Sequence, residues 1–163
     1  MEISQKGIEL IKSFEGLKLE AYLCSAKVPT IGIGTTIYPN GKKVKLGDKC
    51  TVKQAEDFLK HDLDYFVKGV NRLVGIKIHQ LMFDSLVCFA YNVGIGNLQA
   101  STLLKKINLN KLDEVPQEFL KWNKATVNGK LTVLDGLTKR REAERDLFLQ
   151  GLKELEIKEI IGG

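Results

Sequence analysis

Glu15, Cys24 and Thr30 bring a carboxyl, a thiol and a hydroxyl into sixteen consecutive positions. Glu15 closes a segment, residues 3 to 15, whose apolar residues Ile3, Ile8, Leu10, Ile11 and Phe14 recur at helical spacing, with Glu2, Gln5, Lys6, Glu9, Lys12 and Ser13 on the wet side. Ser4 fits an N-cap and Gly16 a C-terminal stop. Glu15 lies four residues after Ile11 and seven after Ile8, so it points along the apolar stripe. Partial burial and the negative end of the helix dipole both favour the protonated carboxyl that a general acid requires. A helix-end glutamate held by an arginine in a structural ion pair fits the same spacing, and on spacing alone the two readings compete equally.

The elements around Glu15 must position it. From Leu17 the period changes to two: Leu17, Leu19, Ala21 and Leu23 alternate with Lys18, Glu20, Tyr22 and Cys24, the pattern of an extended segment. Residues 30 to 38 are β-rich, Pro39-Asn40-Gly41 is a turn signal, and residues 42 to 46 supply a returning strand. A small antiparallel sheet beside one helix makes a cleft wall. Gly32 and Gly34 would let a substrate approach the backbone, although relief of a tight sheet accounts for them as well.

Thr51 and Gln54 form a capping box that opens a helix to about Leu73, with Ala55, Phe58, Leu59, Leu63, Phe66, Val67 and Val70 on its apolar side. Residues 78 to 92 are apolar nearly all round and predict a core helix interrupted by Asp84. Residues 92 to 97 break it. Short helices are expected over 101–107 and 113–123, a loop at Asn128-Gly129, and two further helices over 138–150 and 152–161.

At 163 residues, with 44% hydrophobic and 28% charged, the chain suits an ordinary globular core. It has no apolar run of eighteen, so no membrane insertion is expected, and no secretory signal is recognised. Three cysteines, Cys24, Cys50 and Cys88, are odd in number and lack metal-like spacing. No disulfide framework and no metal is expected, with a Cys24–Cys50 bridge the one pairing left open. The net charge of +5 favours anionic surfaces. Without an aromatic-basic or helix-turn-helix motif, nucleic acid is not an expected partner. His61 and His79 are isolated, so a Ser-His-Asp or metallohydrolase site lacks its parts.

Three blocks in order carry a resemblance over nearly the whole chain. The first is Phe14-Glu15-Gly16 with Cys24 and Thr30-Ile31-Gly32-Ile33-Gly34. The second runs from Phe83 to Gly96, continuing as Ser101-Thr102-Leu103-Leu104, and the third from Gly136 to Phe148. The chain resembles the phage-type lysozymes (endolysins, muramidases; glycoside hydrolase family 24). The resemblance implies an α+β, two-lobed, lysozyme-like fold forming a single domain. A small antiparallel sheet lobe would cover roughly 17–50. A larger helical lobe would cover roughly 74–163 together with the N-terminal helix 3–15, and a connecting helix would span roughly 51–73.

It also implies hydrolysis of the β-1,4 bond between N-acetylmuramic acid and N-acetylglucosamine in bacterial peptidoglycan, without a cofactor. By resemblance Glu15 is the acid, Cys24 stands where relatives have Asp or Cys, and Thr30 is the third catalytic residue. Gly34, Phe89, Asn92 and Thr102 are assigned to substrate binding, with core and helix-end roles open for Phe89 and Asn92. Arg140 or Arg141 is assigned to positioning the acid. Many relatives carry His after the Gly-x-Gly stretch; Thr35 stands here instead, so any ion pair built on that His is absent. The family is generally inverting, which favours Cys24 as the base or water-positioning group over attack by its sulfur on the sugar. A monomer is expected, made in the cytoplasm and reaching the wall through a membrane lesion. A catalytically silent peptidoglycan-binding module and a glycosidase acting on chitin or chitosan are the competing readings.

Overall fold

The computed structural model describes residues 1–162. Its elements, in order, are α1 (Gln5–Glu15), β1 (Lys18–Leu23), β2 (Pro29–Gly32), α2 (Val52–Leu73), α3 (Gln80–Val93), α4 (Ile95–Ala100), α5 (Thr102–Asn108), a 3-10 turn (Leu112–Glu114), α6 (Pro116–Phe119), β3 (Lys124–Val127), β4 (Lys130–Val133) and α7 (Asp135–Gly162). The chain forms two compact units: Ile8–Tyr65, and Met1–Gly7 with the chain from Phe66 onward. The division falls inside α1 and α2. Residues 8–15 therefore group with the sheet, where the sequence reading placed the whole N-terminal helix with the helical lobe.

In the unit Ile8–Tyr65, Gly16 ends α1 at φ +78°, its N–H donating to the Lys12 carbonyl at 3.0 Å. β1 and β2 pair antiparallel, with Tyr22 opposite Thr30 and Leu23 opposite Pro29. A two-stranded ladder cannot enclose a core alone. Ile31, Ile33 and Val44 are buried, as are Ala55, Leu59 and Leu63 from α2. The capping box forms as read: the Gln54 N–H donates to Thr51 Oγ1 at 3.1 Å and the Thr51 N–H to Gln54 Oε1 at 2.9 Å. Gly32 is buried at φ +67°, and a Cβ there would stand 3.1 Å from the Ala55 Cβ. Its missing side chain admits a helix, not a substrate.

In the other unit, α3 is buried along Leu81 to Ala90. Asp84 is satisfied there. It accepts from the Ser4 N–H at 3.0 Å and from Gln80 Nε2 at 2.9 Å, and also from the Ser4 hydroxyl. Ser4 in turn accepts from the Gly7 N–H, as an N-cap should. Three differences from the sequence reading have local causes. Pro116 opens α6 at its first turn and breaks the helix expected over 113–123. Asn128 (φ +50°) and Gly129 (φ +79°) make a two-residue turn between β3 and β4 where a loop was expected. Finally, α7 runs unbroken through Gly151, where two helices were expected.

Candidate active site

Helix α1 delivers Glu15 at its last residue, half-buried. Glu15 has an interaction partner in the fold. Immediately beyond, the β1–β2 connection turns tightly. The Cys24 N–H donates to the Val28 carbonyl at 3.1 Å and the Lys27 N–H to the Cys24 carbonyl at 2.8 Å, with Lys27 at φ +59°. This turn aims backbone donors at the Cys24 sulfur. The Val28 N–H acts most strongly, then the Ala26 N–H and the Thr30 hydroxyl. Together they hold the thiol below its ordinary pKa, against a smaller opposing effect of burial. Successive N–H groups that converge in a turn stabilise an anion without any cation.

Thr30 is buried on β2 and its hydroxyl also reaches the Val28 carbonyl at 2.9 Å. One hydroxyl carries one proton. Thr30 therefore donates to the carbonyl while Cys24 is a thiol, and can turn that proton to sulfur when the thiolate forms. The unit thus holds a half-buried carboxyl, a thiol with a lowered pKa and a hydroxyl that adjusts to it. Gly34 lies two residues past β2 at φ +82°, half-buried.

Thr35 is buried and its hydroxyl donates to Asp62 Oδ2 at 2.8 Å. Burial raises the Asp62 carboxyl above its usual pKa, while the Thr35 bond and the charge of His61 pull it back.

The remaining assigned residues lie in the other unit. Phe89 is completely buried, edge-on to Phe119 and Trp122 at 5.5 and 5.6 Å, with the Arg141 guanidinium 5.0 Å from its ring centre. It has no surface to offer a saccharide and serves the core. Asn92 is exposed and accepts from Arg141 Nη2 at 2.8 Å. Thr102 is exposed at the start of α5. Arg140 and Arg141 are buried around Glu144. Arg141 Nε lies 2.7 Å from Glu144 Oε1, and Arg140 Nη2 donates to the Cys88 carbonyl at 3.1 Å.

Trp122 is the residue that the sequence reading passed over. It is half-buried and lines one cavity with Thr102 and another with Asn92. Its signal was available: it is the single tryptophan of the chain, in a segment otherwise read only for helix. Among the described residues no cluster of His, Cys, Asp or Glu could hold a metal. No helix there is long and apolar enough to cross a membrane.

The fold matches the solved endolysin from Escherichia coli O157:H7 phage FAHEc1 with a TM-score of 0.86. Identity is 44%, over 91% of this chain and 94% of that one. An endolysin of Acyrthosiphon pisum secondary endosymbiont phage 1 is 42% identical over 91% of this chain and 98% of its own length. One from Bacillus phage B103 is 47% identical over 93% of this chain, but the chain spans only 55% of that relative. The fold and these likenesses define the class, that of the phage lysozymes and endolysins. The phage lysozyme family model matches residues 12–144, and the chain belongs to that family.

Proposed function

We propose that the chain is an endolysin-like N-acetylmuramidase. It hydrolyses the β-1,4 bond between N-acetylmuramic acid and N-acetylglucosamine in peptidoglycan, with Glu15 as acid and Cys24 and Thr30 as the groups that hold and activate water. Glu15 gives its proton to the bridging oxygen as the glycosidic C–O bond breaks. Water attacks the oxocarbenium-like carbon from the opposite face and its proton passes to the Cys24 thiolate, so the anomeric configuration inverts. Both groups then exchange protons with solvent, which restores the starting state. The observation that carries the reading is the tight β1–β2 turn at Cys24, where the Val28 and Ala26 backbone and the Thr30 side chain lower the thiol pKa. That direction favours proton acceptance by a residue that is not a carboxylate.

Gly34, Asn92 and Thr102 are assigned to the saccharide, and Trp122 joins them because an indole offers an apolar face and one N–H to a sugar. Arg140 and Arg141 enter by resemblance alone, as groups that position the acid. The protein acts as a monomer and reaches the wall through a membrane lesion that other agents make.

The test is release of new reducing ends from purified sacculi, with NMR of the first-formed anomer. Glu15→Gln is expected to lose about 100-fold or more in rate, the usual weight of a general acid. Cys24→Asp is expected to keep activity. Retention at the anomeric carbon, or normal turnover by Glu15→Gln, refutes the mechanism. Tight binding of sacculi with no new ends identifies a silent wall-binding module instead.

A further inference from the structure

Thr35 stands outside the reacting groups, yet it is completely buried in the unit that holds them. Its backbone exchanges both hydrogen bonds with Ile31. The Ile31 N–H donates to the Thr35 carbonyl at 2.9 Å, and the Thr35 N–H to the Ile31 carbonyl at 3.0 Å. This pair closes a loop over Gly32, Ile33 and Gly34, with the two glycines at φ +67° and +82°. Ile31 follows Thr30 directly. Whatever fixes Thr35 therefore fixes the end of the strand that carries the Thr30 hydroxyl.

A closure made of two glycines is conformationally free, and a two-stranded ladder has little stability of its own. The loop must be held from outside, and α2 holds it at two points. A Cβ on Gly32 would stand 3.1 Å from the Ala55 Cβ, and the Thr35 hydroxyl donates to Asp62 Oδ2 at 2.8 Å. Ala55 and Asp62 are seven residues apart in the helix, about two turns, so they present one face to the loop. The apolar contact sets how closely the loop sits. The hydrogen bond is directional and sets its rotation. Asp62 is half-buried, and burial acts on its carboxyl more strongly than the Thr35 bond or the charge of His61. A carboxylate kept there weakens the fold at neutral pH, so its benefit lies elsewhere than in stability.

We propose that Thr35 and Asp62 are positioning residues for the hydrolysis: Asp62 anchors the Thr35 hydroxyl, and through the Ile31–Thr35 backbone pair this anchor sets where the Thr30 hydroxyl points relative to the Cys24 sulfur. They act through Thr30 and not on the sugar. The inference rests on the proposed hydrolase reading for its effect on turnover, whereas the link from Thr35 to Thr30 belongs to the fold and stands without it. Thr30 has one proton for two acceptors, the Val28 carbonyl at 2.9 Å and the Cys24 sulfur. Delivering it to sulfur requires the hydroxyl to be held within about 0.5 Å of its place. A loop free to rotate on its glycines would leave the proton on the carbonyl.

The test is a double-mutant cycle read on the pH midpoint of Cys24 alkylation, which needs no turnover, with kcat and KM measured on soluble glycan strands. Thr35→Val keeps the shape of the side chain and removes its donor. It is expected to raise the Cys24 midpoint and to lower kcat by about 10- to 100-fold, the weight of an ångström of misplacement, while KM stays within about twofold. Thr35→Ser returns the donor and is expected to recover both readouts. Asp62→Ala removes the acceptor from the side of α2 and should reproduce the Thr35→Val changes, which keeps the test open if Thr35→Val does not fold. On a Thr30→Val background, Thr35→Val should move the midpoint no further, because the route through Thr30 is already gone. Additive midpoint shifts in the double variant, an unmoved midpoint in Thr35→Val and Asp62→Ala, or a rise in KM with kcat unchanged overturn the inference. A wild-type protein that releases no reducing ends refutes the hydrolase reading, and the alkylation cycle still decides whether Thr35 acts through Thr30.

Discussion

Cys24 and Cys88 are the same residue in two opposite settings. Cys24 sits half-buried in a turn with no cation at its sulfur, and its thiol is pulled below the ordinary pKa by N–H and O–H donors. Cys88 sits in α3 beside Arg140 and Arg141, and its thiol is pushed well above the ordinary value. Burial dominates and Glu144 adds to it, against the two arginines. Neighbouring positive charge does not make a reactive thiol when the group is sealed in the core. Converging backbone donors at the surface lower the thiol pKa instead. The difference extends to the two units that hold these cysteines. Around Cys24, the backbone stabilises charge and leaves the group accessible. Around Cys88, Arg140, Arg141 and Glu144 stabilise one another and lock the packing.

The sharpest way to break this contrast is at Glu144. Glu144→Gln leaves two buried guanidinium groups without their countercharge, and urea unfolding should show a loss of about 3 to 5 kcal/mol. A loss below 1 kcal/mol would mean the cluster is solvated, and the contrast with Cys24 would fail.

Alkylation comes next. Iodoacetamide near neutral pH should modify Cys24 first, with loss of lytic activity. Cys50, raised by burial, should follow, and Cys88 should react only after unfolding. A smaller effect is expected at Thr30. Thr30→Val removes one of the donors, so the pH midpoint of Cys24 alkylation should rise. It should stay below that of a free thiol, because the Val28 and Ala26 amides act more strongly and remain. An unmoved midpoint would remove Thr30 from the thiolate's environment.

The smallest effect concerns Asp62. Its folded pKa is raised, so the folded state binds the proton more readily than the unfolded chain. The stability this gives is full below about pH 4, the ordinary Asp value, and is lost as pH rises through the raised pKa. Asp62→Asn can still accept from the Thr35 hydroxyl. Its melting temperature should exceed that of wild type at neutral pH, and the gap should shrink as pH falls to about 4. A gap that does not change with pH would assign the effect to packing.

The periodic parts of this fold were legible in the sequence because burial repeats with the helix. α1, its Ser4 and Gly16 ends, and α2 with its Thr51–Gln54 box follow from residue types at fixed offsets. The family resemblance added what periodicity could not, namely which thiol and which hydroxyl accompany Glu15. What stayed hidden depended on contacts across the chain. Gly151 reads as a helix break, but it faces α3, and tertiary packing overrides its poor propensity. Phe89 in an apolar run fits a cleft or a core equally well until its aromatic neighbours are known. The β3–β4 hairpin had its Asn-Gly turn signal and a polar–apolar alternation, but Lys124–Val127 and Lys130–Val133 are only four residues each and mostly exposed, too short a pattern to mark strands. The donors that lower the Cys24 pKa are mostly backbone, and no side-chain pattern records them.

Gly151 has one more consequence. A methyl group there would meet the Met82 backbone nitrogen and Cγ at 3.1 Å and His79 Nδ1 at 3.2 Å, so α7 is pinned against α3 at that point. Residues 156–162, downstream of the pin, are all exposed, with Ile160 and Ile161 about four-fifths bare. The last turns of α7 are thus a handle that can be recoded, labelled or tethered to a bead without disturbing either core. Replacing Ile160 and Ile161 with polar residues should remove a sticky end at little cost to folding.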